Sequence, residues 1–346
     1  MRKRWTMTMT GAAVVLALTA CGGNGDEPAG GEEEAADGNG GAEESVTLRL
    51  AHSASDSHQY HIAAEHFRDL VAEKTDGSVE IDIHGNATLG SEAEVVEQIL
   101  DGTIDMTTVA ADSSFANTVP EMNLFGIPYI FEDIDHVYET LDGDIGQELL
   151  ETVNEKNMVG LGYWEVGERH VSNNEREIAH PDDMEGLSIR VQPSAVWEAH
   201  MQALGASPTP VDFNELYSAL DQGVVDGQEN PLPTIDSMNF YEVQDYVSLT
   251  AHTYSPAIVV MSNNAQDNLS DEQFAAVQEA VDETTEFHRE HLGELEEEIL
   301  EHLANEGVTI TEDPDRDAFQ EATSEVRDVL EDQVPSSLVD RVLERE

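Results

Sequence analysis

VTLRLAHSASDSHQYHIAAEHFRDLVAEKTDGSVEIDIHGNATLGSEAEVVEQILDGTIDMTTVA, residues 46–110, carries the pattern that decides the fold. Val46–Ala51 alternates Val, Leu and Leu with Thr and Arg, the period of a half-buried strand. A polar loop follows, then a helix from about Gln59 to Lys74 in which Ile62, His66 or Phe67, Leu70 and Val71 recur at helical spacing. Thr75-Asp76-Gly77 breaks that helix, and Val79–Ile83 alternates again as a second strand. A second helix runs from about Ser91 to Leu100, closed by Asp101-Gly102 before an apolar strand at Met106–Ala110. This strand–helix–strand–helix order predicts an α/β protein with a parallel sheet and helical crossovers. The rhythm returns with strands at Val159–Trp164 and Ser188–Val191. Helices near Pro193–Leu204 and Asn214–Gln222 follow the second of these.

Further along, Ser270 is placed as an N-cap, with Gln273 three residues on completing a capping box. From there Phe274, Val277, Val281, Thr284, Phe287, Leu292, Leu295, Ile299 and Leu303 hold a helical stripe until Asn305-Glu306-Gly307 ends it. A helix this far above the globular mean reads as one that crosses between two lobes, a coiled coil being the alternative. Two lobes are also what the length implies, because roughly 300 residues exceed what one hydrophobic core usually serves.

The amino terminus is of another kind. Arg2, Lys3 and Arg4 precede a short apolar run from Gly11 to Ala20, too short to span a bilayer, so residues 1–20 read as a signal peptide. Leu18-Thr19-Ala20-Cys21 resembles the bacterial lipobox, which implies acylation of Cys21 as the first residue of the mature chain. An ordinary signal peptide cut near Ala20 is the alternative. Residues 22–44 are mostly Gly, Ala, Asp and Glu with no aromatic, too little apolar surface to offset ordering. Residues 21–45 thus read as a lipidated Cys and an acidic Gly-rich disordered tether. Its reach of about 25–30 Å would hold the body clear of a lipid bilayer.

The formal charge is −58, and Lys74 and Lys156 are the only lysines beyond the first turn of the leader. Such a surface excludes nucleic acid and anionic lipid headgroups as partners, and suits a protein kept soluble in high salt.

In an open α/β sheet, ligands sit beyond the carboxyl ends of strands. That directs attention to His52, Ser53, Asp56, Ser57 and His58 after the first strand, and to Ala111, Asp112 and Ser113 after the third. Two arginines stand out, because the fifteen basic residues less Arg2, Lys3 and Arg4 leave twelve. Arg169 is expected just past the Val159–Trp164 strand. Arg190 lies between Ile189 and Val191, where a charge is costly unless compensated. A guanidinium presents a planar fork that grips a carboxylate through two parallel hydrogen bonds. The alternative pairs each arginine with a local acid such as Glu168 or Asp212. Catalytic material is missing: there is no Gly-x-Ser-x-Gly, His-Glu-x-x-His, Cys pair or phosphate-cradling glycine loop. His58, His61 and His66 do not share one helical face, so no metal and no cofactor is expected.

The run from Gly186 to Leu249, GLSIRVQPSAVWEAHMQALGASPTPVDFNELYSALDQGVVDGQENPLPTIDSMNFYEVQDYVSL, resembles the core of the DctP-type extracytoplasmic solute receptors of TRAP (tripartite ATP-independent periplasmic) transporters. Weaker similarity reaches back through LRLAHSASDSHQYHIAAEHF, LGSEAEVVEQILDGTIDM and FGIPYIF, so it covers nearly the whole body. The resemblance implies a two-lobed, type II periplasmic-binding-protein-like fold joined by crossing strands and one long helix. It divides the body into lobe I, 46–167 with about 255–296, and lobe II, 168–254 with about 297–346. It implies that Arg190, the arginine of the I-R-V motif, holds a ligand carboxylate. Asn230, Phe213 and a second arginine, Arg169, line the pocket, with Ser53, Glu92, His58 and Asp112 completing the site. At Ser53 and Ala111–Asp112 several relatives carry other residues, and there substrate identity is decided. The implied function is capture of a small organic anion and delivery to permease membrane subunits, without catalysis. A receptor feeding a membrane sensor is the alternative, and an enzyme the third.

Overall fold

The computed structural model describes residues 45–345, except for the side chains of Glu294, Glu296 and Glu297. The leader, Cys21 and the tether lie outside the described residues.

The strands are β1 (Val46–Ala51), β2 (Val79–His84), β3 (Met106–Ala110), β4 (Met158–Asn173), β5 (Ser188–Val191), β6 (Ser207–Pro210), β7 (Gly227–Pro231), β8 (Tyr246–Ser262) and β9 (Thr309–Thr311). They form one sheet in the order β2-β1-β3-β8-β4-β7-β5-β6, with β9 also on β8. The helices that bear on the site are α1 (Gln59–Lys74), α2 (Glu92–Leu100), α3 (Ala195–Ala203), α4 (Leu232–Ser237) and α5 (Asp271–Glu306).

The sheet is mixed rather than parallel. β1 pairs in parallel with β2 and β3, and β5 with β6 and β7, as the crossover pattern predicts. Between these parallel ends run two long strands, β4 and β8, antiparallel to each other and to their neighbours β7 and β3. The sixteen and seventeen residues of β4 and β8 serve both ends. The Ala257–Met261 end of β8 pairs with β3, whereas the Arg169–Asn173 end of β4 pairs with β7. Their mutual ladder shifts register between Gly160 and Gly162, between Glu165 and Gly167, and between Arg169 and Val171. Gly167 takes φ +122° there, a conformation that L side chains rarely adopt.

Both faces of the sheet are covered. Along β8, Ala257, Val259 and Met261 pack into one apolar cluster, and the alternate Ile258 and Val260 into another. α1 buries Tyr60, Ala63, Ala64, Phe67 and Val71; of the expected stripe Phe67 and Val71 are buried, while Ile62, His66 and Leu70 are half-buried beside it. α5 follows the expected caps. Ser270 Oγ accepts from the Gln273 amide, Gln273 Oε1 accepts from the Ser270 amide, and Gly307 ends the helix at φ +97°. It packs on α1, β4 and α4 and so touches elements from both ends of the sheet.

Candidate functional site

β5 sets the first side chain. Ile189 and Val191 are fully buried and join one apolar cluster, so by the two-residue period Arg190, and Gln192 just past the strand, point to the other face. Arg190 is 1% exposed. Its Nε donates to Val211 O at 2.9 Å, and its Cζ stands 6.0 Å from the centre of the Phe213 ring. Nη1 has no hydrogen-bond partner, and no carboxylate comes within 4 Å among the described residues. Burial pulls this guanidinium down to about 10, against the charges of Glu229 and Glu92.

Arg169 is settled differently. It lies inside β4, not in a loop past a short strand: Gly167-Glu168-Arg169-His170 reads as polar and irregular, yet its partners on β7 and β8 extend the ladder through it. The buried Arg169 side chain donates from Nε to Glu229 Oε2 at 2.5 Å and from Nη2 to Glu229 Oε1 at 2.9 Å. Nη2 also reaches Glu229 O at 2.9 Å and Asn230 Oδ1 at 3.1 Å, and Cζ lies 4.8 Å from the Trp197 ring centre. The local acid is therefore Glu229, on the adjacent strand, rather than Glu168. Burial works to raise Glu229, but the Arg169 charge and hydrogen bonds from His252 and Arg169 prevail and hold it below the ordinary carboxylate range. His252 Nε2 is 3.3 Å from Glu229 Oε2, and its Nδ1 is 2.8 Å from Thr250 Oγ1.

All five residues of β7, Gly-Gln-Glu-Asn-Pro, are buried, which is tolerable only because each polar side chain is bonded. Gln228 donates to Ser172 Oγ at 2.7 Å, and Asn230 Nδ2 donates to Gln228 Oε1 at 2.5 Å.

His58 does structural work besides. It is the N-cap of α1, its Nδ1 accepting from the Tyr60 amide at 3.1 Å, while Nε2 lies 3.2 Å from Thr234 Oγ1 on α4. Burial depresses its pKa well below the usual value, so the ring is neutral. Ser53 Oγ donates to Glu92 Oε1 at 2.9 Å. Burial raises Glu92 despite that bond and the charge of Arg190. Asp112 is fully buried. Its Oδ2 accepts from Ser255 at 2.6 Å, its Oδ1 has no partner, and burial pushes it up to about 6.

Several of these side chains border one small pocket of about 10 Å³, room for a single water. Of the eight predicted residues, His58, Glu92, Arg169, Phe213 and Asn230 line it. Arg190, Ser53 and Asp112 do not line it, but Arg190 stands 6.0 Å from the ring of Phe213, Ser53 bonds to Glu92, and Asp112 is within electrostatic reach of Arg169. Tyr60, Ala110, Val166, Gln192 and Thr234 complete the lining and were not foreseen. Gln192 was legible two residues past Arg190 on the same strand face. Glu229 stood inside the quoted D-G-Q-E-N run, but one more acid in so acidic a chain carries no signal. Among the described residues no three His, Cys, Asp or Glu are grouped to hold a metal ion; His61 instead meets His52 at 3.0 Å, and His66 stacks on Phe287.

A larger cavity of about 310 Å³ lies elsewhere, between Tyr129, Tyr254, Gly293 and Arg316. It has aromatic walls with Glu132, Asp133 and Glu168 beside Arg316 and none of the eight predicted residues, whereas the smaller one is lined by the buried Arg169.

The family described as bacterial extracellular solute-binding protein, family 7 (DctP), matches residues 50–333. The chain is 35% identical over 290 residues to the 2,3-diketo-L-gulonate-binding periplasmic protein YiaO of Escherichia coli K12, covering 84% of this chain and 88% of that one. A TRAP periplasmic solute-binding protein from Polaromonas sp. JS666, solved bound to D-erythronate, superposes with a TM-score of 0.84 at 31% identity, over 86% of this chain and 98% of its own. One from Sulfurospirillum deleyianum DSM 6946, with bound succinate, gives 0.83 at 32% identity, over 88% and 100%. The two-lobed α/β architecture is theirs, and no helix among the described residues is long and apolar enough to cross a membrane. By the length of these matches, the chain belongs to family 7 of the bacterial extracellular solute-binding proteins, the DctP family.

Proposed function

We propose that this receptor captures a small organic carboxylate (a dicarboxylate, a hydroxy or keto acid, or a sugar acid) between its lobes and hands it to the membrane subunits of a TRAP permease. The observation that carries the reading is Arg190: a buried guanidinium with an unpartnered Nη1 and no carboxylate within 4 Å among the described residues. Buried charge persists only where something compensates it, and a planar fork is suited to a carboxylate. The three relatives named above bind 2,3-diketo-L-gulonate, D-erythronate and succinate, which are all carboxylates.

The lobes are residues 46–167 with about 255–296, and 168–254 with about 297–346. The exchange of partners along β4 and β8 supports this division, since the strands leave β3 and meet β7 close to the proposed boundaries. Arg190, Arg169, Asn230 and Phe213 act from lobe II, and Ser53, His58, Glu92 and Asp112 from lobe I. Acylated Cys21 tethers the receptor to the membrane; mass spectrometry of the mature protein tests this, and an unmodified Cys21 removes the anchor.

The function is tested by thermal-shift screening of an organic-acid library, followed by calorimetry of the best acid on Arg190 variants. Arg190→Lys keeps the charge and loses the fork, and is expected to weaken binding at least about tenfold. Arg190→Met loses more. Unchanged affinity in Arg190→Met sinks the reading.

A further inference from the structure

We propose that the larger cavity is a second binding site, for a small organic cation whose charge lies on an alkylated nitrogen. It is independent of the carboxylate reading, because the two cavities share no lining residue.

Four rings wall the cavity of about 310 Å³: Tyr129, Phe131, Tyr138 and Tyr254. Each is held by the protein itself. The Tyr129 hydroxyl donates to Thr250 O at 3.1 Å, and the Tyr254 hydroxyl to Glu165 Oε2 at 2.5 Å. Phe131 stacks on Phe125 with ring centres 6.4 Å apart, and Tyr138 lies against the Arg289 guanidinium, 4.1 Å from its ring centre. Two of the hydroxyls are thus spent internally, and ring surface is what remains for a ligand. Its π electrons attract positive charge. Val137, Leu232 and Leu292 add apolar surface between the rings, and the volume lies within the range of small-molecule sites.

The charges along the wall share that preference. Glu132, Asp133 and Glu168, all exposed, border the cavity with one guanidinium, Arg316. Arg316 lies over the Tyr129 ring at 5.9 Å and donates to Ala251 O at 3.3 Å. Arg345 reaches Glu132 at 3.3 Å and Asp133 at 4.0 Å, but it also serves Glu139 at 2.8 Å. Burial lowers His170 to about 3, so that ring adds no charge. Acids therefore outnumber cations, and an anion is repelled. Exposed carboxylates attract only weakly, which leaves the rings to discriminate. A sodium or ammonium ion keeps its water, whereas an alkylated nitrogen is poorly hydrated and meets the rings with its methyl groups.

The probes are choline and 3,3-dimethylbutan-1-ol, its neutral twin with carbon in place of nitrogen. Each is titrated with the purified protein in 1 M NaCl, where attraction to the acidic surface is screened within about 3 Å, and the methyl proton signals are followed. Choline is expected to bind at least about tenfold tighter than the alcohol. Phe131→Leu keeps apolar bulk and loses a ring. Gly293→Leu adds bulk at a position of α5 that lines the cavity, where a Cβ meets nothing within 4 Å. Each is expected to weaken choline at least about threefold, and such a loss in either variant places choline in this cavity. Equal binding of the two probes, no binding of choline, or unchanged affinity in both variants overturns the site.

Discussion

Arg169 and Glu229 close on each other in the middle of the sheet, Nε to Oε2 at 2.5 Å and Nη2 to Oε1 at 2.9 Å, neither side chain more than 1% exposed. Arg190, equally buried, has no such acid within 4 Å among the described residues. The same residue type therefore plays two roles within electrostatic reach of each other, one finished internally and one left open.

That difference predicts opposite responses to substitution. Glu229→Gln leaves Arg169 as an uncompensated buried charge and should destabilise the empty protein by about 3–5 kcal/mol. Arg190→Met removes a desolvated charge that has no internal partner, and the empty protein should keep its stability or gain. Denaturant unfolding without ligand checks both. A large loss in Arg190→Met, or none in Glu229→Gln, contradicts the assignment.

Buried histidines set the acid limit. Burial, with the charge of His61, lowers His52 to about 4. Burial also brings His170 and His288 to about 3. The unfolded chain takes up these protons near 6.5, before the folded one does, so stability is complete above that pH and is lost as pH falls below it. Each group costs about 1.4 kcal/mol per pH unit, so the three together remove roughly 4 kcal/mol per unit below about pH 6. Unfolding midpoints from pH 7.5 down to 5 measure this; a flat profile refutes it.

Asp112 acts with the opposite sign. Its folded pKa, about 6, lies above the unfolded value of 3.8, so the folded state holds the proton more tightly. Its contribution favours folding at low pH and is lost as pH rises from about 4 through 6. Asp112→Asn keeps an acceptor for Ser255 and cannot ionise. The stability of the variant minus that of the wild type should therefore rise by up to about 3 kcal/mol between pH 4 and pH 7.5. A difference independent of pH would show that Asp112 is ionised throughout.

Salt should stabilise. With a formal charge of −58, like charges repel across the surface, and raising NaCl from 0.1 M to 1 M shortens the screening length from about 10 Å to about 3 Å. Tm is expected to climb by several degrees over that range, and more in NaCl than in an isosmotic sugar. A fall in Tm with salt would mean that surface ion pairs outweigh the repulsion.

What the sequence disclosed follows from how local each signal is. The caps of α5 are written within four residues of each end, and both were found where Ser270 and Gly307 placed them. Arg190 was conspicuous because Ile189 and Val191 flank it. The extension of β4 past Trp164 was hidden, because Gly167-Glu168-Arg169-His170 and Gly227-Gln228-Glu229-Asn230 look like loops until each becomes the other's partner. β8 was equally silent to residue patterning and entered only through the crossing strands that the resemblance implied. The stripe of α1 was legible at Phe67 and Val71 but not at Ala63 and Ala64, because alanine weighs little on a hydrophobicity scale. Within the site, the two arginines were legible, whereas Glu229, which holds Arg169, and His252, which bonds to Glu229 in turn, required the fold.

The two long strands also govern the order in which the molecule can assemble. β3, finished at residue 110, has its second neighbour in β8, which begins at residue 246, and β4 waits for the same strand. The β3 end of the sheet cannot close until Met261 is available, and β9 joins still later. Contacts of such sequence separation make folding slow, because the loop entropy is spent before the pairing is won. A nascent chain stopped anywhere short of β8 has exposed strand edges and no complete half. Ribosome-stalled or truncated forms should thus remain protease-sensitive up to that point and become resistant in one step beyond it.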